Sequence, residues 1–218
     1  MEMPRIGLSG GDYKPLTQAD MDKIHATSMR VFEEVGVEIN NETALKRFRE
    51  AGARIDGDRA KMPADLVLEI IEKAPSRIDM YGRGARPPLT LEKRKVHLGT
   101  GGTALNVVDI DSGEKRPANV RDMADIAKVC DALDNIHFFM LPIYPEGVPP
   151  EEADVNRFLP AMMNTDKHIM GGVYTVEGIR KIIGLAEMIA GSPEALREKP
   201  FISMVTCVIS PLKVDRHY

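Results

Sequence analysis

Tryptophan is missing from these 218 residues altogether, aromatic side chains make up only 5%, and there are two cysteines. Cys130 and Cys207 stand far apart in apolar patterns, so no disulfide framework is available and a reducing compartment, the cytoplasm, is expected. No apolar run is long enough to cross a bilayer, and Met1-Glu2-Met3-Pro4-Arg5 lacks the apolar core of a secretory signal. Excess basic charge is also lacking: 29 Lys and Arg against 33 Asp and Glu give a net charge of −4, so no nucleic-acid footprint is indicated. The histidines show no His-x-x-x-His spacing, and no Gly-Lys-Ser/Thr follows a glycine loop, so neither a metal site nor a phosphate loop is expected.

What is present is ordinary for a globular protein: 43% hydrophobic and 28% charged residues, with 13 methionines suited to filling irregular core gaps. The most informative stretch is 200–211, an almost unbroken apolar run between Pro200 and Pro211. A half-exposed strand alternates, whereas a strand covered on both faces reads as a continuous run and belongs to a parallel sheet with crossover helices. Strand-like runs at 95–98, 136–141, 168–173 and 201–209 alternate with helical patterns. Periodicity leaves two α/β architectures open, a doubly wound sheet and the N-terminal half of a (β/α)₈ TIM-type barrel.

Before this series, residues 1–16 read as an arm. Thr17 opens a helix that Gly36 stops, a second helix covers 42–51, Asp56-Gly57 is a turn, and a third helix runs between Pro63 and Pro75. The expected organisation is therefore an arm and helical subdomain over 1–76, then the α/β part over 77–218. The latter carries a hairpin near 104–117 turned by Asp111-Ser112-Gly113, with Asn119 and Thr175 as helix caps.

In either architecture chemistry gathers at the C-terminal ends of the strands. That selects the loops beginning at Gly99, Pro142, Val173 and Ile209. Gly99-Thr100-Gly101-Gly102-Thr103 lets backbone approach a ligand closely, or else simply turns the chain into the hairpin. Tyr144 and Tyr174 each follow a strand, and read either as rim packing or as faces for a permanent cation, which cannot donate a hydrogen bond and is bound by aromatic rings. Asp109 and Asp111 shape the hairpin. Glu146, Glu151, Glu152 and Asp154 read as a solvated face and helix N-terminal charges. Cys207 is expected in inert core, and His168 at the strand starts in a structural role.

Three stretches together resemble the trimethylamine methyltransferase (MttB-like) family of corrinoid-dependent amine methyltransferases. They are the entry helix from Ile24 to Val37; Gly99-Thr100-Gly101-Gly102-Thr103 with Asp109-Ile110-Asp111-Ser112-Gly113 and Arg116-Pro117-Ala118; and Asp122 with Asp131-Ala132-Leu133-Asp134-Asn135-Ile136 leading to Val148-Pro149-Pro150. The resemblance implies the N-terminal half of a (β/α)₈ barrel whose remainder lies in a longer protein. It further implies methyl transfer from a methylated, quaternary amine to the cobalt(I) of a cognate corrinoid protein. The corrinoid would be carried by that partner, no cofactor or metal bound directly, and the protein would be a homo-oligomer without nucleic-acid or membrane contacts. The strand-end rule gives Thr100, Gly101, Gly102, Tyr144, Tyr174 and Ser210 as the substrate-binding candidates, with no catalytic residue assigned. The competing expectation is a catalytically inactive ammonium-binding or interaction fragment.

Overall fold

The structure, a computed structural model, describes residues 8–11 and 13–214; the outer part of the expected arm, 1–7, lies outside them. In chain order the elements are β1 (Leu8–Ser9), α1 (Gln18–Arg30) continued by a π-type turn (Val31–Val35), β2 (Val37–Ile39), α2 (Glu42–Glu50), β3 (Arg54–Asp56), β4 (Arg59–Lys61) and α3 (Ala64–Glu72). There follow β5 (Arg77–Met80), β6 (Leu89–Glu92), β7 (Lys95–Val96), β8 (Asn106–Val108), β9 (Lys115–Pro117), α4 (Val120–Ala132) and β10 (Phe139–Met140). The chain continues through a 3₁₀ turn (Pro150–Glu152), α5 (Ala153–Asn164), β11 (Ile169–Gly172), α6 (Val176–Ala190), α7 (Pro193–Glu198), β12 (Ile202–Val205) and β13 (Lys213–Val214). Two compact units result among the described residues, one from those of 11–76 with 207–214, the other from 8–10 with 77–206.

In the smaller unit Thr17 and Asp20 form a reciprocal capping box at the start of α1, satisfying donors that the first turn leaves free. Gly36, with φ of 71°, ends the π-type turn where an added Cβ would lie 2.6 Å from the Ala60 carbonyl oxygen. Besides its helices the unit holds a four-stranded sheet in the order β13-β2-β4-β3, in which β3 and β4 flank the Asp56-Gly57 turn. Val37, Ile39, Ala53 and Ala60 form its buried core, against which Phe32, Phe48, Leu66, Leu212 and Val214 pack. Glu38 receives Lys213 at 2.8 Å and Arg59 at 3.4 Å, and the Lys213 hydrogen bond holds its carboxyl below the usual range.

The larger unit is built on the parallel sheet β10-β11-β12, with Phe139 beside Ile169 and Ile169 beside Ile202. Two further parallel bridges, Gly99 with Phe138 and Ala104 with Ile143, set the 99–104 segment on the outer side of β10. Helix α5 connects β10 to β11, and α6 with α7 connects β11 to β12, the crossovers that parallel strands require. Met123 and Ala127 of α4, Phe158 and Met162 of α5, and Ile182 and Ala186 of α6 are fully buried with Phe139, Leu141 and Ile169. Asn119 caps α4 in a second capping box, and Thr175 caps α6.

At the starts of the strands, buried polar groups have partners. The Lys167 ammonium donates to the Cys130 carbonyl and, at 2.6 Å, to that of Leu133, occupying carbonyls that the end of α4 leaves open. His168 lies between the Tyr81 carbonyl at 2.8 Å and the Ser203 hydroxyl at 2.7 Å, and burial pushes its pKa down.

Several sequence expectations are corrected. The run 201–209 yields only β12, and Cys207 beyond it is exposed rather than core, because the chain leaves the sheet and β13 pairs in parallel with β2 in the smaller unit. Residues 207–214 cluster with the described residues of 11–76. The 95–98 run is split: Lys95 and Val96 pair antiparallel with β1, and only Gly99 bridges to the parallel sheet. The architecture is mixed α/β with several small sheets, and no closed barrel occurs among the described residues.

Candidate functional site at the strand ends

Three connections leave the C-terminal ends of the parallel segments, and one buried helix face ties them together. Ala153, Asp154, Arg157, Phe158, Ala161 and Met162 form the inward stripe of α5, so two charged residues sit where apolar side chains normally do. Arg157 is 1% exposed. It donates from Nε to the Ile143 carbonyl at 3.3 Å, from Nη1 to that of Gly172 at 3.0 Å, and from Nη2 to the Thr103 hydroxyl at 3.5 Å. One guanidinium thus touches the end of β11 and the segments that follow Gly99 and β10.

Asp154 is equally buried and accepts from the Tyr174 N–H at 3.0 and 3.2 Å, the Thr175 N–H at 3.1 Å and the Thr175 hydroxyl at 3.3 Å. An anion at the start of α6 meets free N–H groups and the positive end of the helix dipole. Gly178 makes room for it, since a Cβ there would lie 2.1 Å from Asp154 Oδ2. Asp154 is therefore not a solvated charge, correcting the expectation from sequence.

The two tyrosines come together. Their ring centroids are 5.8 Å apart at 73°, an edge-to-face pair. The Arg157 guanidinium carbon lies 5.3 Å from the Tyr174 centroid and 5.9 Å from that of Tyr144. The Tyr144 N–H donates to the Ala104 carbonyl at 2.9 Å, which fixes its backbone to the glycine-rich loop. Tyr174 is 39% exposed, so this pair opens to solvent while its cation is enclosed.

The glycine-rich loop divides by role. Gly99 packs on the Phe138 ring, where a Cβ would stand 2.4 Å away, and Gly102 has φ of 80°; both are needed by the backbone. Gly101 faces open space and has no such reason. Thr100 donates to the Met140 carbonyl at 2.5 Å, tying the loop to β10. Thr100, Gly101, Gly102, Tyr144 and Tyr174 thus share one unit, whereas Ser210 belongs to the other, beside the cis Ser210–Pro211 bond. Asp109, Arg116 and Asp122 form the hairpin's own ion-pair network, with Arg116 bidentate to Asp122 at 2.7 and 2.8 Å. Backbone N–H donation from Ser112, then Arg116, lowers the Asp109 pKa to about 2.

A sequence model described as trimethylamine methyltransferase (MTTB) matches residues 2–218. The chain belongs to that family. Trimethylamine methyltransferase MttB of Desulfitobacterium hafniense (strain DSM 10664 / DCB-2) is 31% identical over 214 residues, covering 97% of this chain and 42% of that protein. MttB of Methanosarcina barkeri (strain Fusaro / DSM 804) is 32% identical over 223 residues, covering 95% and 43%. A glycine betaine methyltransferase of D. hafniense (strain Y51) is 25% identical over 204 residues, covering 93% and 42%. This member of the MTTB family thus spans about two fifths of the length of the relatives it matches. Asp154 and Arg157 are the site residues that sequence reading missed; their shared stripe with Phe158, Ala161 and Met162 was the available signal.

Proposed function

We propose that the chain forms the amine-binding part of a (β/α)₈-type methyltransferase, which passes a methyl group from a quaternary amine to the cobalt(I) of a cognate corrinoid protein. Family membership supports methyl transfer, and the sequential parallel order of the 99–104 segment, β10, β11 and β12 supports the barrel reading. The observation that carries the site is the Tyr144–Tyr174 ring pair at the strand ends, open to solvent on a rigid backing. Here the ring faces hold the ammonium, the strand-end loops orient it, and one methyl is left toward the incoming acceptor. The C–N bond breaks with its electron pair staying on nitrogen, while the electron pair of cobalt(I) forms the new bond to carbon. A quaternary amine leaves as a neutral amine, so no residue here must supply a proton. The corrinoid travels on the partner, which is why this chain needs no residues to ligate it.

The length relation to the relatives favours a second reading, binding without turnover, in which the chain alone holds an ammonium but transfers nothing. The test is calorimetric titration of the chain with tetramethylammonium, followed by incubation with glycine betaine or trimethylamine and the reduced corrinoid protein, methylation being read by absorbance. Binding with methylation supports the first reading, and binding without it the second. Absence of binding would overturn both.

A further inference from the structure

We propose that α1 is a self-association surface, along which the α1 helix of a second copy of this chain lies parallel and in register. The inference concerns the smaller unit alone and does not depend on the reading of the strand-end site.

α1 has no buried residue. Met29 and, in the π-type turn, Phe32 are half-buried, and through them the helix rests on its own unit. A different line along it is apolar and open: Met21 is 45% exposed, Ile24 53%, Val31 36% and Val35 45%. With Ser28 these positions are spaced alternately by three and four residues. At about 3.6 residues per turn, that line lies roughly a quarter of a turn from the one through Met29 and Phe32. It is a narrow a/d-type seam, the pattern by which one helix packs along another, rather than the broader stripe of a helix laid on its own core. α3, which packs beside α1, leaves Leu68, Ile70 and Ile71 exposed as well.

The seam and its flanks fit another α1. Ser28, the polar member, donates its hydroxyl to the Ile24 carbonyl at 2.9 Å, so it can be enclosed without an unmet donor. Flanking charge then chooses the direction. A parallel register sets Asp20 opposite His25 of the second copy, a carboxylate against an imidazole that can donate to it. Asp20 uses Oδ2 for Thr17 in the capping box, which leaves Oδ1 for that donor. An antiparallel register would instead set Asp20 against Glu34, two like charges. The helix is already formed and held by Met29 and Phe32, so pairing has little backbone to order.

The test is disulfide capture. Met21→Cys, Ile24→Cys and, as a control off the seam, Lys23→Cys are each made in a chain carrying Cys207→Ser, which removes the exposed thiol and leaves Cys130 buried. Each is oxidised in dilute solution and followed on non-reducing gels. Facing seam positions in a parallel pair come within disulfide reach, roughly 4.4–6.8 Å between Cα atoms. Met21→Cys and Ile24→Cys are therefore expected to form linked dimers at least about tenfold faster than Lys23→Cys. Equal rates at the three positions would mean chance collision and overturn the proposal. A dimer from Met21→Cys mixed with Val31→Cys, without one from Met21→Cys alone, would show antiparallel pairing and also overturn it. Adding His25→Glu to Ile24→Cys should slow capture about threefold or more, and an unchanged rate contradicts the parallel charge arrangement. No disulfide at either seam position sinks the proposal, whether the thiol stays open to a soluble maleimide or is shielded by another occupant. Circular dichroism checks each fold, and should one seam variant fail to fold, the other decides.

Discussion

The Asp154 carboxylate lies 3.0 and 3.2 Å from the Tyr174 backbone nitrogen, so a side chain from the first turn of α5 fixes the residue that opens the next crossover. Two consecutive βα connections are thereby held as one piece. The join depends on a missing side chain, because a Cβ at Gly178 would collide with Asp154.

Gly178→Ala is accordingly expected to destabilise the chain by about 1–3 kcal/mol, as overpacking does when neither neighbour can move freely. Asp154→Asn should cost a similar amount, since it removes the anion and brings N–H donors against N–H donors. Urea denaturation of the three proteins measures both. A midpoint for Gly178→Ala equal to that of the wild type would show that Asp154 can leave its position at no cost.

Stability should also depend on pH through His168. Burial lowers its pKa in the folded chain from the ordinary value of 6.5, so the unfolded chain binds the proton first as pH falls. The stabilisation is fully present above pH 6.5 and declines as pH drops through the window below it. Asp109, whose pKa is about 2, titrates well outside that window. The urea midpoint is expected to fall between pH 7.5 and 5, and His168→Gln should flatten this dependence. A variant with the wild-type slope would assign the effect to other groups.

Which features could be read in advance follows from how local their causes are. Thr17, Asn119 and Thr175 cap their helices because each bonds a nitrogen three residues along. The hairpin at Asp111-Ser112-Gly113 is equally local, with Asp109 accepting from Asp111 and Ser112. Tyr144 and Tyr174 were legible because strand ends follow from the alternation of strands and helices. The enclosure of Asp154 was harder to read, since Glu151, Glu152 and Asp154 look alike in sequence and only the spacing that Asp154 and Arg157 share with Phe158, Ala161 and Met162 hints at which charges are enclosed. The pairing of Lys213 with Glu38 joins positions far apart in the chain, and nothing near either residue announces it.

The parallel sheet has an open edge. Among the described residues β12 pairs with β11 on one side only, and its four residues are half-buried. An edge strand is a template for association, and exposed apolar side chains elsewhere in the same unit, such as Val176, Ile183 and Met188, add to that tendency. The chain is expected to dimerise or form larger species in light scattering after gel filtration. Ser203→Pro, which cannot donate to a neighbouring strand, tests whether the β12 edge mediates it. A monodisperse wild-type monomer would contradict the expectation.

The central claim is that Tyr144 and Tyr174 together bind a permanent cation. The most direct measurement is the affinity of tetramethylammonium for the wild-type chain, Tyr144→Ala, Tyr174→Ala and the double variant. A ring contribution of about 0.5–2 kcal/mol corresponds to a loss of about 2- to 30-fold in each single variant, with a larger loss in the double variant. Affinities within error of the wild type in the double variant, with its fold intact by circular dichroism, would contradict the account.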